Sequence, residues 1–250
     1  MNMPLPTKLA REPLLDAVFE VRFAKSTELA SLLPGYLFSK LQGLAGVEAL
    51  PASQMPKVVR ESDPTNQLMH APLVRLHWGQ FAILIGDTSV AIACKLPYPG
   101  WRSFRPAIEE VLRCTFQSKL VDETLRYSMK YVDLLQTGAT FPAANQVDWA
   151  LRLGPQSLTT ENIQLRVEIP RDGFLHAISI ATAASVQMSD GSANSGAVVD
   201  VDTIQQNPSV SMELMEDLTN HLDAIHLANK QVFFGCLSKA GLAALEPVYE

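Results

Sequence analysis

The residues with the clearest chemical potential in this 250-residue chain lie in HLDAIHLANKQVFFGCL, residues 221–237, where His221, Asp223 and His226 fall within six positions. A helix presents two imidazoles to one metal ion at i, i+3 or i, i+4 spacing. His221 and His226 are five apart, which at about 100° per residue puts them roughly 140° apart around the axis. The spacing therefore predicts no shared metal and no cofactor. Asp217 precedes His221 by four, while Asp223 and Lys230 lie three before and four after His226. These are ordinary helix-surface partners, so a solvated or capping role is expected for both histidines.

The second group of chemically capable residues repeats with a period of two. Glu20 and Arg22, Arg75 and His77, Arg126 and Lys130, Arg166 and Glu168, and Asp200 and Asp202 each alternate with apolar neighbours. On a strand, each such pair points from one face. One use of that face is to meet water, with cross-strand pairs contributing a few tenths of a kcal/mol each. The other is recognition, which makes Glu20, Arg22, Arg75, Arg126, Lys130, Arg166, Asp200 and Asp202 the candidate binding residues. Asp200 and Asp202 carry a further ambiguity. Two carboxylates about 6–7 Å apart on one side of a strand suit a divalent cation held through waters, and Asp202 equally suits the turn that follows the strand. With Arg22, Arg126 and Lys130, they define the enzyme alternative, a metal-dependent phosphohydrolase acting on a nucleotide or polyphosphate. No catalytic residue is nominated.

Other chemistries lack their motifs. Ser31, Ser128 and Ser185 have no GxSxG setting, no GxxxxGK[ST] loop occurs, and Gly35, Gly43 and Gly46 form no dinucleotide fingerprint. Cys94, Cys114 and Cys236 are widely spaced with no CxxC, which predicts buried thiols in a reducing compartment. Trp101 in PYPGWRSF is expected to anchor the start of a helix, with Pro99-Gly100 making the turn before it.

Composition narrows the class of partner. A net charge of −6 offers no field for a polyphosphate backbone, so bulk nucleic-acid binding is not expected. The first 21 residues, MNMPLPTKLAREPLLDAVFEV, show no leader-like apolar core, and no stretch reaches about 18 apolar residues, so a cytoplasmic protein away from membranes is expected. With 47 % hydrophobic and 18 % charged residues, the chain has enough apolar side chains for a real core.

The elements that must position these residues follow from periodicity. A strand is expected at 17–23, then a helix at 26–43 capped by Ser26 and interrupted by Pro34. A three-strand meander follows (VRLHWG, FAILIG, SVAIACKL), turning at Gly79-Gln80 and Gly86-Asp87-Thr88. A helix at 101–119 and a strand at 123–135 complete an N-terminal α+β half, residues 1–137. TGATFPAANQ (137–146) marks the boundary. The second half, 138–250, is read as a short helix in VDWALRLG, strands at 162–169 (Ile163, Leu165, Val167 and Ile169 inward), 174–188 and 197–202, and a terminal helix at 211–236 whose inner stripe is Leu214, Leu218, Leu222, Ile225 and Val232. The fold class is α+β, antiparallel sheets covered by helices, with the second half suggesting a duplicated α+β unit.

PLLDAVFEVRF, YPGWRSFRPAIEEVL, the strand LRYSMKYVD, the late VVDVD strand and the IHLANKQVFF helix together resemble a sporadically distributed, functionally uncharacterised bacterial family of about this length. The resemblance spans nearly the whole chain and carries no catalytic residue or cofactor with it. Scattered occurrence implies a mobile locus, such as a defence or toxin–antitoxin system. The expected function is thus a non-catalytic binding or regulatory protein with a protein partner.

Overall fold

Alternation along one strand sets the architecture. In Leu14–Phe23, the side chains of Ala17, Phe19, Val21 and Phe23 are buried while Val18, Glu20 and Arg22 are half-buried. The period of two gives one face to the core and the other to charge. The computed structural model describes residues 4–64, 68–136, 143–158, 162–187, 191, 193–206 and 216–249.

In chain order the strands are β1 (Lys8–Leu9), β2 (Leu14–Phe23), β3 (Leu44–Ala49), β4 (Pro72–Trp78), β5 (Phe81–Gly86), β6 (Ser89–Cys94), β7 (Thr124–Gln136), β8 (Leu151–Leu153), β9 (Gln156–Leu158), β10 (Gln164–Arg171), β11 (Phe174–Gln187), β12 (Ala193–Gln206) and β13 (Pro247–Val248). The helices are α1 (Leu29–Lys40), α2 (Lys57–Glu61), α3 (Trp101–Gln117), α4 (Leu218–Cys236) and α5 (Lys239–Ala244). Nine strands form one sheet in the order β10-β11-β12-β7-β2-β6-β5-β4-β3. Neighbours run antiparallel in β10/β11, β2/β6, β6/β5, β5/β4 and β4/β3. The α+β class expected from the sequence is the class observed.

The chain divides into two compact units. One comprises Asp16–Met129 and Ile204–Ile225; the other comprises residues up to Leu15, Lys130–Thr203 and the chain from His226 onward. In the Asp16–Met129 unit the meander turns where expected: Trp78 pairs with Phe81 across Gly79-Gln80, with Gly79 in the left-handed region at φ 53°. Its core joins Leu29, Leu33 and Leu37 of α1 and Phe104, Ile108, Val111 and Leu112 of α3 to Phe19, Leu76, Ile83, Ile85 and Ile92 of the sheet. Pro34 stays inside α1 without ending it. The α1 cap is Glu28 rather than Ser26, whose hydroxyl instead donates to the Asp87 carbonyl.

The other unit packs Leu135, Ile178, Ile180, Ala197, Val199 and Val201 of the strands against Phe233, Phe234 and Leu237. Two expectations change here. VDWALRLG is not helical: Leu151–Leu153 pairs with Gln156–Leu158 as a hairpin, with Gly154 at φ 58°. Ile169 points outward at 44 % exposure, because β10 ends the nine-strand order and has a neighbour on one side only. The β10–β11 turn is Asp172-Gly173, both at positive φ, the two-residue geometry that favours this dipeptide. Within the expected boundary stretch 137–146, residues 137–142 lie outside the described part and Ala143–Gln146 forms a 3₁₀ turn. Residues 211–215 of the terminal helix, Leu214 among them, also lie outside it.

Within α4, Leu218, Leu222 and Ile225 are buried as the stripe requires. The stripe continues through Asn229, whose amide donates to the Val201 carbonyl at 2.8 Å and leaves the polar group satisfied in the core. Gly196 is where β12 passes closest to β7: a Cβ there would lie 2.1 Å from the Leu135 carbonyl oxygen. Gly196→Ala must push the backbone aside. A destabilisation of about 1–3 kcal/mol is expected in chemical denaturation, the usual range for overpacking; an unchanged midpoint would contradict this packing.

Candidate functional site

Glu20 is the centre of the charged group in the Asp16–Met129 unit. Its Oε1 accepts from Arg22 Nε at 2.5 Å and from Arg126 Nη2 at 3.2 Å, so two guanidiniums share one carboxylate. The three side chains are only 22–27 % exposed. β6 faces them with small groups, since Ser89 pairs with Arg22 and Ala91 with Glu20. His70, on the 3₁₀ turn Leu68–His70, shares a hydrogen bond from Nδ1 to Thr88 Oγ1 at 2.9 Å, and Ser89 Oγ donates to its carbonyl at 2.9 Å. Burial pushes the His70 pKa down; Arg22 and Arg126 push the same way, and Glu20 opposes them. The imidazole is therefore neutral beside two fixed cations.

The other nominated residues have separate partners. Arg75 Nη1 lies 3.0 Å from Glu48 Oε2, with His77 at 3.6 Å from the same oxygen, all about 40 % exposed. In the unit that holds residues 130–203, Lys130 Nζ meets Asp200 Oδ2 at 2.9 Å, and Arg166 Nη2 meets Glu168 Oε1 at 3.1 Å. Arg166 and Asp200 also line a shallow hollow of about 350 Å³ with Gln164, Ser179 and Val198. Asp202 is half-buried. The structure thus joins Glu20, Arg22 and Arg126, joins Lys130 to Asp200, and gives Arg75 a partner of its own.

The histidines of α4 have structural partners. His221 Nδ1 is 3.3 Å from the Tyr127 hydroxyl, and His226 Nδ1 is 3.2 Å from the Tyr131 hydroxyl. This corrects the expected solvated role: both rings are half-buried against strand tyrosines. Asp223 has partners on another helix. Trp101 Nε1 donates to its Oδ1 at 2.8 Å and Arg105 Nη1 to its Oδ2 at 2.7 Å, which fastens α3 to α4 and gives the Trp101 anchor its purpose. Lys230 donates to the Pro6 carbonyl at 2.6 Å. Among the described residues, no three His, Cys, Asp or Glu side chains come together in a way that would hold a metal ion.

One group, Arg60, had no signal in local pattern, whereas Asp133 at the end of its strand shares the ambiguity of Asp200 and Asp202 between a cation ligand and a turn residue. Arg60 is buried; its Nε and Nη2 donate to Asp87 Oδ2 at 3.1 and 2.6 Å and its Nη1 to the Met55 carbonyl, which ties the 51–64 connector to the β5–β6 hairpin. Asp133, 4 % exposed, is held well above the usual carboxylate range by burial first and then by Glu12 and Asp200. Burial raises the thiol pKa values, Cys94 to about 12 and Cys236 to about 11, which disfavours the thiolate.

No family model and no curated protein matches the chain. No helix among the described residues is long and apolar enough to cross a membrane.

Asp133 yields a pH prediction whose sign is fixed. Its folded pKa is raised, so the folded chain holds a proton that the unfolded chain has released. The contribution to stability is full below the unfolded pKa of about 3.9 and is lost as pH rises through the folded value. Asp133→Asn keeps a neutral group of similar shape. It is expected to stabilise the protein at pH 7 and to flatten the acid side of the stability curve in urea denaturation; a variant less stable at pH 7 with an unchanged curve would contradict this assignment. A separate expectation concerns Asp223. Asp223→Ala removes both acceptor oxygens from Trp101 and Arg105 and should cost about 1–3 kcal/mol in the same assay.

Proposed function

We propose that this chain is a non-catalytic binding or regulatory protein of the cytoplasm that recognises a protein partner through charged residues held on its strands. The observation that carries this reading is the pairing of those charges. Glu20 is bridged by Arg22 and Arg126, Asp200 is engaged by Lys130, and Glu48 by Arg75. A recognition surface needs polar groups fixed in place by rigid elements, and charges that hold one another on adjacent strands meet that need. A catalytic carboxylate needs the opposite, an oxygen free to take a proton or a metal.

The alternative, a metal-dependent phosphohydrolase using Arg22, Arg126, Lys130, Asp200 and Asp202, would require Asp200 to leave Lys130. The resemblance to a sporadically distributed bacterial family adds a setting: a locus of mobile or defence genes, with the product of a neighbouring gene as the partner.

Affinity capture of the tagged full-length chain from its native host tests the reading. A specific protein is expected to co-purify, and incubation with nucleotides plus Mg²⁺ or Mn²⁺ is expected to give no turnover. Metal-dependent turnover abolished by Asp200→Asn would overturn the reading in favour of the hydrolase.

A further inference from the structure

We propose that Arg22 and Arg126, bridged by Glu20 and flanked by His70, form a carboxylate-binding subsite that takes an Asp or Glu side chain of the partner. The inference rests on the reading of the strand charges as a recognition surface, and it assigns that surface a ligand chemistry.

Charge is the first argument. Two permanent cations face one carboxylate, and the neighbouring imidazole is neutral, so the cluster carries one excess positive charge. A single carboxylate neutralises it; a phosphate dianion would overshoot. Donor supply is the second. A guanidinium offers five N–H groups in a planar fork suited to bidentate contact with a carboxylate. Arg22 gives Glu20 its Nε and Arg126 gives it one Nη2, and the buried Nε of Arg126 has no hydrogen-bond partner among the described residues.

Burial and dielectric are the third. The sheet positions directly across from Glu20 and Arg22 hold the small, buried Ala91 and Ser89, so no long side chain of β6 competes for the guanidiniums. The side chains are roughly three-quarters buried, so a charge-assisted bond made here is screened less than one made in bulk water. The comparison within this unit is the Arg75–Glu48–His77 group, where a guanidinium and an imidazole also meet one acid. Those side chains are 39–46 % exposed, so water competes for every donor. The ligand should be a single acidic side chain because the chain as a whole carries −6 and repels an extended acidic surface.

The test follows the side-chain Nε–H resonances of Arg22 and Arg126 in the ¹⁵N-labelled full chain during titration with propionate, a mimic of the Glu side chain. Inorganic phosphate and sodium chloride at matched ionic strength are the comparison arms. Propionate is expected to shift both resonances saturably in the millimolar range. Arg126→Gln is expected to weaken the effect about tenfold, Arg22→Lys to weaken it by removing the fork while keeping the charge, and Lys57→Gln, an exposed change on α2, to leave it unchanged. Shifts equal to those in chloride would overturn the proposal, as would phosphate saturating more tightly than propionate. The wild-type titration decides the matter even if Arg126→Gln does not fold. Its failure is distinguishable from failure of the functional reading: a partner captured from the host without a propionate response removes this subsite alone, and a propionate response without any captured partner removes the functional reading alone.

Discussion

A β-strand gives half of its side chains to each face, so burying one face under helices obliges the other half to find partners without leaving the strand. In β2 the division is sharp. Phe19, Val21 and Phe23 are 0–1 % exposed, while Glu20 and Arg22 between them hold each other at 2.5 Å. The same alternation in β7 buries Tyr127 and Met129 and turns Arg126 back to Glu20. Neither charge could be moved to the core face without a one-residue slip that would expose every apolar neighbour.

The helices answer the same constraint from the other side. They must bury an apolar stripe and also satisfy the polar groups that lie at its margins. The Asp223 carboxylate takes Trp101 and Arg105, and Asn229 satisfies the Val201 carbonyl, each at 2.7–2.8 Å. His221 and His226 meet tyrosine hydroxyls of β7 in the same way. What looks in isolation like a ligand set is the polar margin of a helix packed on a sheet. Isolated pairs of this kind contribute modestly when exposed, about 0–1 kcal/mol, and their greater effect is to fix register and orientation.

Local periodicity revealed most of the elements and little of the partnering. Strand β2, the meander with its Gly79-Gln80 turn, helix α3 and the buried stripe of α4 follow from patterns a few residues long. The face carrying Glu20, Arg22 and Arg126 was legible for the same reason. The bridging of two arginines by one glutamate was not, because Glu20 and Arg126 are 106 positions apart and their meeting depends on strand order. Arg60 and His70 sit in a connector with no period at all, and only tertiary contacts reveal their roles. The helix expected in VDWALRLG fails because Val147, Trp149, Leu151 and Leu153 recur at every second position, the period of a strand, and Gly154 at positive φ makes the hairpin. The composition of each compact unit, drawn from separated stretches of chain, follows from the strand order and not from any stretch taken alone.

On the proposed reading, the arginines around Glu20 recognise something besides Glu20. The most direct measurement compares partner capture from the native host by the wild-type chain and by the double variant Arg22→Gln/Arg126→Gln, with cooperative thermal unfolding of both proteins recorded alongside. The double variant is expected to unfold cooperatively and to lose the partner. A double variant that captures the partner as well as the wild type would contradict that reading and reduce the charged face to a solvated surface.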